Sequence, residues 1–281
     1  MTTNLTIAYQ GSEGSYSEEL LKKEFSEYIF VACKSFTELI NIVSREKCLG
    51  LLPVENSIAG TVNEAYEELI ESGLEIFGEF IKKINHTLIG LSGSKFDDIT
   101  HVISHPQALQ QCSKFLQDSK LRITPVFDTA GSVFEILETK DTNTAAIAGE
   151  HFKNDKRFKI LKENISNHEE NFTRFLLIGN EKIESKKENN KFSSVLISDD
   201  KPGSLLKALN IFSDLNINLT KLESRPILGR PWEYKFYIDY ELNNLNIQTQ
   251  LLDGIKEVSK EFIILGHYPK ANLFFPLDLV C

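Results

Sequence analysis

Short apolar runs alternate with amphipathic stretches through the first 180 residues of the chain. Residues 5–9, 50–54 and 102–104 have the composition of buried strands, and each is followed by a stretch with helical spacing of its apolar positions. Strands that alternate with helices predict parallel sheets that are covered by helices on both faces. Residues 1–180 are therefore predicted to form an α/β domain.

The alternation of apolar runs and amphipathic stretches stops near residue 181, and a different pattern of apolar positions begins after the polar stretch. Residues 182–191 contain one hydrophobic residue among polar and charged side chains. Such a stretch cannot bury enough apolar surface to fold alone, so residues 181–191 are predicted to be a linker. Residues 192–281 then follow the order strand, helix, strand, strand, helix, strand, which predicts a ferredoxin-like βαββαβ domain of the α+β class.

The charge of the chain narrows the range of partners. The net charge is −9, and an acidic surface repels nucleic acid and anionic membranes. The chain has no run of about 18 apolar residues, and its first residues are polar, so we expect a cytoplasmic protein without a membrane span or signal peptide. If the substrate is an anion, backbone N–H groups or a few basic side chains must supply the positive potential.

The residue types that bind metals and nucleotides are not arranged in known motifs. Cys33, Cys48, Cys112 and Cys281 form no CxxC pair, which predicts reduced thiols buried as small hydrophobic side chains. The six His residues form no HExxH motif, and no GxxxxGK[ST] loop is present. We therefore expect no metal and no cofactor.

The first candidate site motif is the turn QGSEGSYS, which begins at Gln10 after a predicted strand. Gly11 and Gly14 allow the backbone to come close to a ligand. Ser15 can cap the following helix, whose N-terminal N–H groups favour an anion. The turn is thus a candidate binding site for a carboxylate.

The second motif, LPVENSIAGT, begins in a strand and ends in polar residues. Ligands bind at the carboxyl ends of strands in open α/β sheets, so Glu55, Asn56 and Ser57 are placed to line a cleft. Gly60 and Thr61 can present backbone N–H groups beside them.

Three further motifs follow the same rule. SHPQAL places His105 beside a helix start, DTAG places Asp128 at an N-cap position, and NFTRF enters a strand. Alternation along that strand turns Thr173 and Arg174 to opposite sides. Each of the five motifs, taken alone, is also compatible with an ordinary capped turn or polar loop.

Together these motifs resemble the prephenate dehydratase family. QGxxGxYS, PVENSxAGTV, SHPQALxQC, DTAG and NxTRF occur in that family in this order, and here they span residues 10–175. The segment after the linker resembles an ACT domain, because PGSLLKAL and LESRP match the family's two phenylalanine-site motifs and LGHYP resembles its LGSYP ending. The resemblance covers essentially the whole chain outside the linker.

The resemblance implies a two-lobed α/β catalytic domain, similar to periplasmic binding proteins, with the site in the cleft between the lobes. Lobe 1 would hold about residues 1–76 and 155–180, lobe 2 about residues 77–154, and an ACT domain would follow at residues 192–281. The implied reaction converts prephenate into phenylpyruvate, carbon dioxide and water in L-phenylalanine biosynthesis. Formation of the aromatic ring drives it without a cofactor.

The resemblance also implies residues that act on the substrate. Thr173 would assist loss of the ring hydroxyl as a hydrogen-bond donor, because a threonine hydroxyl is a weak acid. The turns after Gln10 and Ala59 would supply N–H donors to the substrate carboxylates. The implied catalytic group also includes Asn56, Ser57 and Glu55, and the implied substrate-binding group comprises Gln10, Gly11, Ser15, Tyr16, Ala59, Gly60, Thr61, Ser104, His105, Gln107, Thr129, Ala130, Phe172, Arg174 and Phe175.

In the second domain the resemblance implies a regulatory site for L-phenylalanine, formed where the ACT domains of two subunits pair. The protein would then be a homodimer or a homotetramer. The implied effector residues are Gly203, Ser204, Leu205, Leu206, Asn218, Glu223, Ser224, Arg225 and Pro226.

Two alternatives remain open from the sequence. An arogenate dehydratase would use the same ring chemistry on a substrate that carries an amino group in place of the keto group. A two-lobed sensor that binds a ligand without turnover has the same class of fold. The presence of Thr173 beside the full set of cleft motifs favours an enzyme.

Overall fold

The computed structural model describes residues 5–46, 48–180, 184–185, 188–271 and 279–280. The chain divides into two compact units. Unit 1 comprises Met1–Leu69 and Ile81–Leu176, and unit 2 comprises Ile70–Phe80 and Leu177–Cys281.

The helices and strands follow the predicted alternation. Two short 3₁₀ helices, Phe96–Asp98 and Glu150–Asn154, accompany them. In chain order the elements are β1 (Thr6–Gln10), α1 (Tyr16–Glu24), β2 (Ile29–Cys33), α2 (Phe36–Glu46), β3 (Leu49–Asn56), β4 (Gly60–Thr61), α3 (Asn63–Ser72), β5 (Glu75–Lys83), β6 (His86–Leu91), β7 (His101–Ser104), α4 (Pro106–Gln111), α5 (Ser113–Ser119), β8 (Arg122–Pro125), α6 (Gly131–Thr139), β9 (Thr144–Gly149), β10 (Phe158–Lys162), β11 (Phe172–Gly179), β12 (Glu184–Ser185), β13 (Lys191–Ser198), α7 (Ser204–Asp214), β14 (Asn218–Ile227), β15 (Arg230–Glu241), α8 (Leu245–Val258), β16 (Ser259–Tyr268) and β17 (Leu279–Val280).

The first sheet of unit 1 is built around β1 and β3. β1 pairs in parallel with both β2 and β3, and β11 lies beside β3. The short strand β4 turns back and pairs antiparallel with the end of β3. Ile7, Leu51 and Val54 are fully buried, as expected for strands that are covered on both faces.

The second sheet of unit 1 has the strand order β10-β6-β9-β7-β8. β7 pairs in parallel with β8 and β9, whereas β6 pairs antiparallel with β9 and β10. The sheet is therefore mixed, where the sequence predicted only parallel strands. The expected lobe boundary near residue 155 is also wrong, because β10 pairs with β6 and buries Phe158 in the core of this sheet.

Unit 2 contains the predicted βαββαβ order as β13, α7, β14, β15, α8 and β16. The antiparallel strand order is β14-β15-β13-β16, which is the ferredoxin-like arrangement. α7 and α8 enclose an apolar core with Leu196, Phe212, Leu251 and Ile255 at its centre.

Unit 2 also includes residues from the first half of the chain. β5 pairs in parallel with β16 through Ile76 and Gly266. Residues 77–80, which were expected in lobe 2, and residues 177–180, which were expected in the catalytic domain, both belong to unit 2. The sequence pattern could not indicate this, because β5 is an apolar strand whose partner lies about 190 residues further along.

Residues 181–183 and 186–187 of the predicted linker lie outside the described residues, as does Cys281. β12, at residues 184–185 of that stretch, pairs antiparallel with β17. Lys191, the last predicted linker residue, opens β13 instead, because its buried ammonium contacts the buried carboxylate of Glu79 at 2.8 Å.

Cys33, Cys48 and Cys112 are buried free thiols, as the sequence predicted. Burial raises the pKa of Cys112 to about 12, so this thiol stays protonated and unreactive. Among the described residues, no helix is long and apolar enough to cross a membrane.

Candidate active site

A cavity of about 490 Å³ lies within unit 1, where the ends of β1, β3 and β11 meet those of β6, β7 and β9. Eleven of the sequence-predicted residues line it, and they come from all five motifs. They are Gln10, Gly11, Ser15, Tyr16, Asn56, His105, Gln107, Thr129, Ala130, Thr173 and Phe175.

Asn56 and Thr173 form the central contact of the cavity. Asn56 Nδ2 donates to Thr173 Oγ1 at 3.1 Å, and Asn56 Oδ1 accepts the backbone N–H groups of Ile58 and Ala59 at 3.0 and 2.9 Å. The Asn56 amide is thereby fixed with its NH₂ group towards Thr173. Because Thr173 Oγ1 accepts this bond, its hydroxyl hydrogen is left to point at a ligand.

Asn56 belongs to a larger network of buried amides. Its Nδ2 also donates to Asn171 Oδ1 at 2.7 Å, and Asn171 Nδ2 donates to Gln111 Oε1 at 3.0 Å. Gln111 Nε2 closes the ring with Asn56 Oδ1 at 3.4 Å. The three amides come from β3, α4 and the residue before β11, so the network joins both sheets of unit 1 behind Thr173.

His86 and Tyr16 extend this network to the first turn. His86 Nε2 lies 2.8 Å from Gln111 Oε1, and His86 Nδ1 lies 3.1 Å from the Tyr16 hydroxyl. The Tyr16 hydroxyl also donates to the backbone carbonyl of Asn85 at 2.8 Å. Burial lowers the pKa of His86 and raises that of Tyr16 well above its usual range, so both side chains are neutral near pH 7.

Helix N-termini supply the positive potential of the cavity. Ser15 caps α1 through a hydrogen bond from Glu18 N to its hydroxyl, and Ser15, Tyr16 and Ser17 line the cavity. Ala130 lies at the start of α6 and lines the opposite side. None of the lining residues is Lys or Arg. An anion in the cavity would therefore be held by backbone N–H groups, hydroxyls and helix dipoles.

His105 contributes its ring to the lining. Its Nδ1 accepts the backbone N–H of Gln107 at 3.2 Å, which caps α4 and places the ring proton on Nε2. His101 lies four residues earlier, but it belongs to β7, so the two rings do not share a helix face. The described residues contain no group of three His, Cys, Asp or Glu side chains that could hold a metal ion.

Eight predicted site residues do not line the cavity. Ser104 is fully buried and donates to the carbonyl of Ile147 at 2.7 Å, so its hydroxyl holds the second sheet together. Ser57 is exposed, donates to the carbonyl of Glu170 and accepts from Phe172 N, so it anchors the start of β11. The remaining six are Glu55, Ala59, Gly60, Thr61, Phe172 and Arg174.

Strand alternation explains the outward position of two of these residues. Asn56 and Thr173 face the cavity, so their neighbours Glu55 and Arg174 face the other side of the sheet, where their charged groups lie 3.7 Å apart. This pair is a structural contact of β3 with β11, and neither residue is placed to touch a ligand in the cavity.

The predicted backbone donors are largely used within the protein. Ser12 N donates to Asp128 Oδ2 at 3.1 Å, Gly14 N donates to Glu18 Oε2 at 2.7 Å, and Ala59 N donates to Asn56. The three N–H groups are paired with acceptors of the protein itself, as backbone polar groups in folded proteins usually are. The expectation that the turns after Gln10 and Ala59 supply N–H donors to the substrate carboxylates stays a prediction for the other N–H groups of the two turns.

Several lining residues were not predicted from the sequence. Gln111 lies four residues after Gln107, and this spacing places both on one face of α4, which is a signal the sequence does contain. His86 has no such signal, because it follows β5 and lies outside the motifs. The others include Pro53, Ile84, Phe127 and Gly149, with Phe127 81% exposed at the rim.

Unit 2 places the predicted effector residues on two elements. Gly203, Ser204, Leu205 and Leu206 form the start of α7, where Gly203 has a φ of +83° that favours glycine. Asn218, Glu223, Ser224, Arg225 and Pro226 lie on β14, where Glu223 forms ion pairs with Arg225 and Lys221.

Two known proteins are similar to this chain along most of its length. A prephenate dehydratase from Methanocaldococcus jannaschii is 37% identical over 274 residues, which cover 95% of this chain and 98% of that protein. An arogenate dehydratase from Petunia hybrida is 34% identical over 287 residues, covering 96% of this chain and 73% of that protein.

A solved structure has the same fold. The prephenate dehydratase from Arthrobacter aurescens in complex with L-Phe superposes with a TM-score of 0.85 at 24% identity, covering 96% of this chain and 90% of that chain. The family model for prephenate dehydratase matches residues 7–183, which include every residue that lines the cavity. This chain belongs to the prephenate dehydratase family.

Proposed function

We propose that the protein converts prephenate into phenylpyruvate, carbon dioxide and water as a carbon–oxygen lyase in L-phenylalanine biosynthesis. The observation that carries this proposal is the bond from Asn56 Nδ2 to Thr173 Oγ1, which leaves the Thr173 hydroxyl hydrogen for the cavity. A hydrogen-bond donor held in this way is what a departing hydroxyl group requires.

The cavity suits a small dianion. Prephenate carries two carboxylates, and residues at the starts of α1 and α6 line the cavity, whose lining contains no Lys or Arg. Ile84, Phe175 and Pro53 give the cavity an apolar wall. A ring carboxylate against such a wall is poorly solvated, which favours its loss as carbon dioxide.

The bond changes are simple and balanced. The bond from the ring to its carboxylate breaks, and its electron pair enters the ring as carbon dioxide leaves. The opposite carbon–oxygen bond breaks, and the departing hydroxyl takes up one proton from the solvent and leaves as water. Thr173 stabilises the charge that builds on this oxygen, and the aromatic product supplies the driving force without a cofactor.

The test is phenylpyruvate formation from prephenate by the purified protein. We expect Thr173→Val to lower kcat by about 100- to 1,000-fold, because one donor to a developing negative charge is lost. Thr173→Ser retains the hydroxyl and is expected to stay far closer to the wild type. Full turnover by a folded Thr173→Val protein would exclude this role for Thr173.

Arogenate is a second candidate substrate, and one feature of the cavity favours it. Asp128 is the acidic residue among those that line the cavity, although both of its carboxylate oxygens also accept backbone N–H groups. A carboxylate suits the ammonium group of arogenate better than the keto group of prephenate. The ratio of kcat/KM for the two substrates decides between them, and binding of both without turnover would instead identify a sensor.

We also propose that residues 192–281, within unit 2, form an ACT domain and that L-phenylalanine regulates the enzyme. The βαββαβ order of unit 2, the PGSLLKAL and LESRP motifs and the L-Phe complex of the Arthrobacter relative support this proposal. The effector would bind between the start of α7 and β14 of paired subunits, in a homodimer or homotetramer. In the same way, the two sheets of unit 1 would be the two lobes of a periplasmic-binding-protein-like fold, in a cytoplasmic enzyme.

Regulation is tested by turnover and by direct binding. Calorimetry with L-phenylalanine should show saturable binding, and the same concentrations should shift the rate of prephenate turnover. Sedimentation of the protein with and without L-phenylalanine gives the oligomeric state. Turnover that does not respond to a bound L-phenylalanine would rule out the regulatory proposal while leaving the catalytic one intact.

A further inference from the structure

His86 lines the cavity but lies outside the sequence motifs. It is 3% exposed, opens β6, and its two ring nitrogens lie 2.8 Å from Gln111 Oε1 and 3.1 Å from the Tyr16 hydroxyl. A buried histidine with partners at both nitrogens has a defined tautomer, so its contacts have a fixed direction.

The direction follows from the chemistry of Gln111 Oε1. A carbonyl oxygen only accepts, and this oxygen already accepts from Asn171 Nδ2 at 3.0 Å. His86 Nε2 must therefore carry the ring proton and donate it to Gln111. His86 Nδ1 is then an acceptor, and it lies beside the Tyr16 hydroxyl, whose hydrogen is donated to the carbonyl of Asn85.

This donation fixes which end of the Gln111 amide faces which neighbour. With Oε1 held by His86 and Asn171, Gln111 Nε2 turns towards Asn56 Oδ1. A rotated Gln111 amide would set NH₂ against NH₂ at Asn171 and oxygen against oxygen at Asn56. Both mismatches would lie in a buried site, where unpaired polar groups are costly.

The fixed direction of the hydrogen bonds continues through Asn56 to Thr173. Asn56 Oδ1 is held on the side of Gln111 and the two loop N–H groups, so Asn56 Nδ2 faces Thr173 Oγ1. If the Asn56 amide lost this orientation, its oxygen could face Thr173 and take up the hydroxyl hydrogen that the substrate needs.

We propose that His86 is a positioning residue for this reaction: it fixes the direction of the hydrogen bonds from Gln111 through Asn56 to Thr173. His86 itself does not need to touch the substrate. The inference rests on the proposed dehydratase function, because its effect is seen as a change in turnover.

The test compares three substitutions of His86 in the full chain. His86→Leu removes the donor and should lower kcat by about 10- to 100-fold, as is usual for residues that orient a reacting group, with little change in KM. Gln places an NH₂ group near the position of Nε2, so His86→Gln should restore most of kcat. Asn reaches only the position of Nδ1, so His86→Asn should resemble His86→Leu.

Thr87→Val is the matched control. Thr87 is the next residue of β6, is equally buried, and bonds to the carbonyl of Ala148 outside the network. Its loss should leave kcat unchanged. A kcat that falls equally for Thr87→Val and His86→Leu, or a His86→Gln protein no faster than His86→Asn, would mean that His86 has only a packing role. If His86→Leu does not fold, the comparison of Gln with Asn decides.

A double-mutant cycle tests whether substitution of His86 lowers kcat through Gln111 or by another route. If His86 acts through Gln111, then Gln111→Leu combined with His86→Leu should be no slower than Gln111→Leu alone. If the fold-losses in kcat of the two single substitutions multiply in the double variant, the proposal is overturned. Failure of the dehydratase assignment looks different, because the unaltered protein would then produce no phenylpyruvate at all.

Discussion

Asp128 accepts a hydrogen bond from the backbone N–H of Ser12 at 3.1 Å, and so connects the first turn of the chain to the loop before α6. Its other oxygen accepts the N–H groups of Ala130 and Gly131 at 2.7 and 3.2 Å. One carboxylate thus caps a helix on the side of the second sheet and holds the glycine turn on the side of the first.

Removing this carboxylate should loosen the cavity as well as the helix. We expect Asp128→Ala to lower the free energy of unfolding by about 1–2 kcal/mol through the lost cap, and to raise KM for prephenate. Asp141→Ala is the control, because Asp141 accepts from Asn143 N and the Thr144 hydroxyl in a turn away from the cavity. The Asp141→Ala protein should be less stable than the wild type without a rise in KM for prephenate. Equal KM values in both variants would contradict the expectation.

Glu19 makes stability depend on pH in the acid range. Its Oε2 lies 3.0 Å from Lys82 Nζ and 3.0 Å from His151 Nδ1. Burial acts to raise the pKa of Glu19, but the hydrogen bond from His151 and the charge of Lys82 outweigh it and lower the pKa from 4.5 to about 2. The folded state therefore binds this proton less readily than the unfolded state does.

A carboxyl with a lowered pKa stabilises the fold above its unfolded pKa, and this contribution is lost as pH falls towards the folded pKa. Glu19→Gln should cost on the order of 1 kcal/mol between pH 5 and 7, after allowance for partial exposure of the pair. The difference from wild type should shrink as pH falls from about 4.5 towards 2. Urea unfolding across this range measures it, and a difference independent of pH would contradict the assignment.

Gly14 is held in a conformation and a space that only glycine fits. Its φ is +75°, and an added Cβ would lie 2.4 Å from Cζ of Phe152. Gly14→Ala should therefore destabilise the fold by more than the roughly 1–3 kcal/mol of backbone strain alone. Gly60→Ala is the control, since Gly60 has a φ of +84° with open space around its Cα. In thermal unfolding, the melting temperature of Gly14→Ala should be well below that of Gly60→Ala. Equal melting temperatures would argue against the clash.

The ion pair of Lys191 with Glu79 should be the most sensitive charge contact in unit 2. Both side chains are buried, and the ammonium lies 3.0 and 2.8 Å from the two carboxylate oxygens. Lys191→Met leaves the Glu79 carboxylate buried without its cation, so we expect a loss of about 3–5 kcal/mol. Lys270→Met breaks a half-exposed pair with Glu241 and should cost less than about 1 kcal/mol. Chemical unfolding that gives equal losses would show that burial is not the deciding factor.

The sequence predicted the parts of the fold that depend on local pattern. The apolar runs of β1 and β3 and the helices between them follow from periodicity, and so does the βαββαβ order of unit 2. The antiparallel pairing of β6 with β9 and β10 could not be predicted, because strand direction depends on contacts between distant segments and not on alternation.

The candidate site shows the same division. Residues at strand ends, such as Asn56 and Thr173, were predicted because strand ends form clefts. The amide network behind them was not, because Gln111 and Asn171 meet only after two segments about 60 residues apart come together. Ser104 is the converse case, since its position suggested a ligand contact but its hydroxyl is used by the backbone of β9.

Gly266 has a neighbour from far earlier in the chain: a Cβ at this position would lie 2.3 Å from the carbonyl oxygen of Ile76, across the pairing of β16 with β5. During synthesis, β5 leaves the ribosome about 190 residues before the strand that completes its pairing. Residues 70–80 therefore lack their pairing with β16 while most of unit 1 is synthesised. Unit 2 can finish folding only when the last strands emerge. A chain that stopped at residue 180 would keep β11 beside this apolar strand but lack β16, and would expose an edge that favours aggregation.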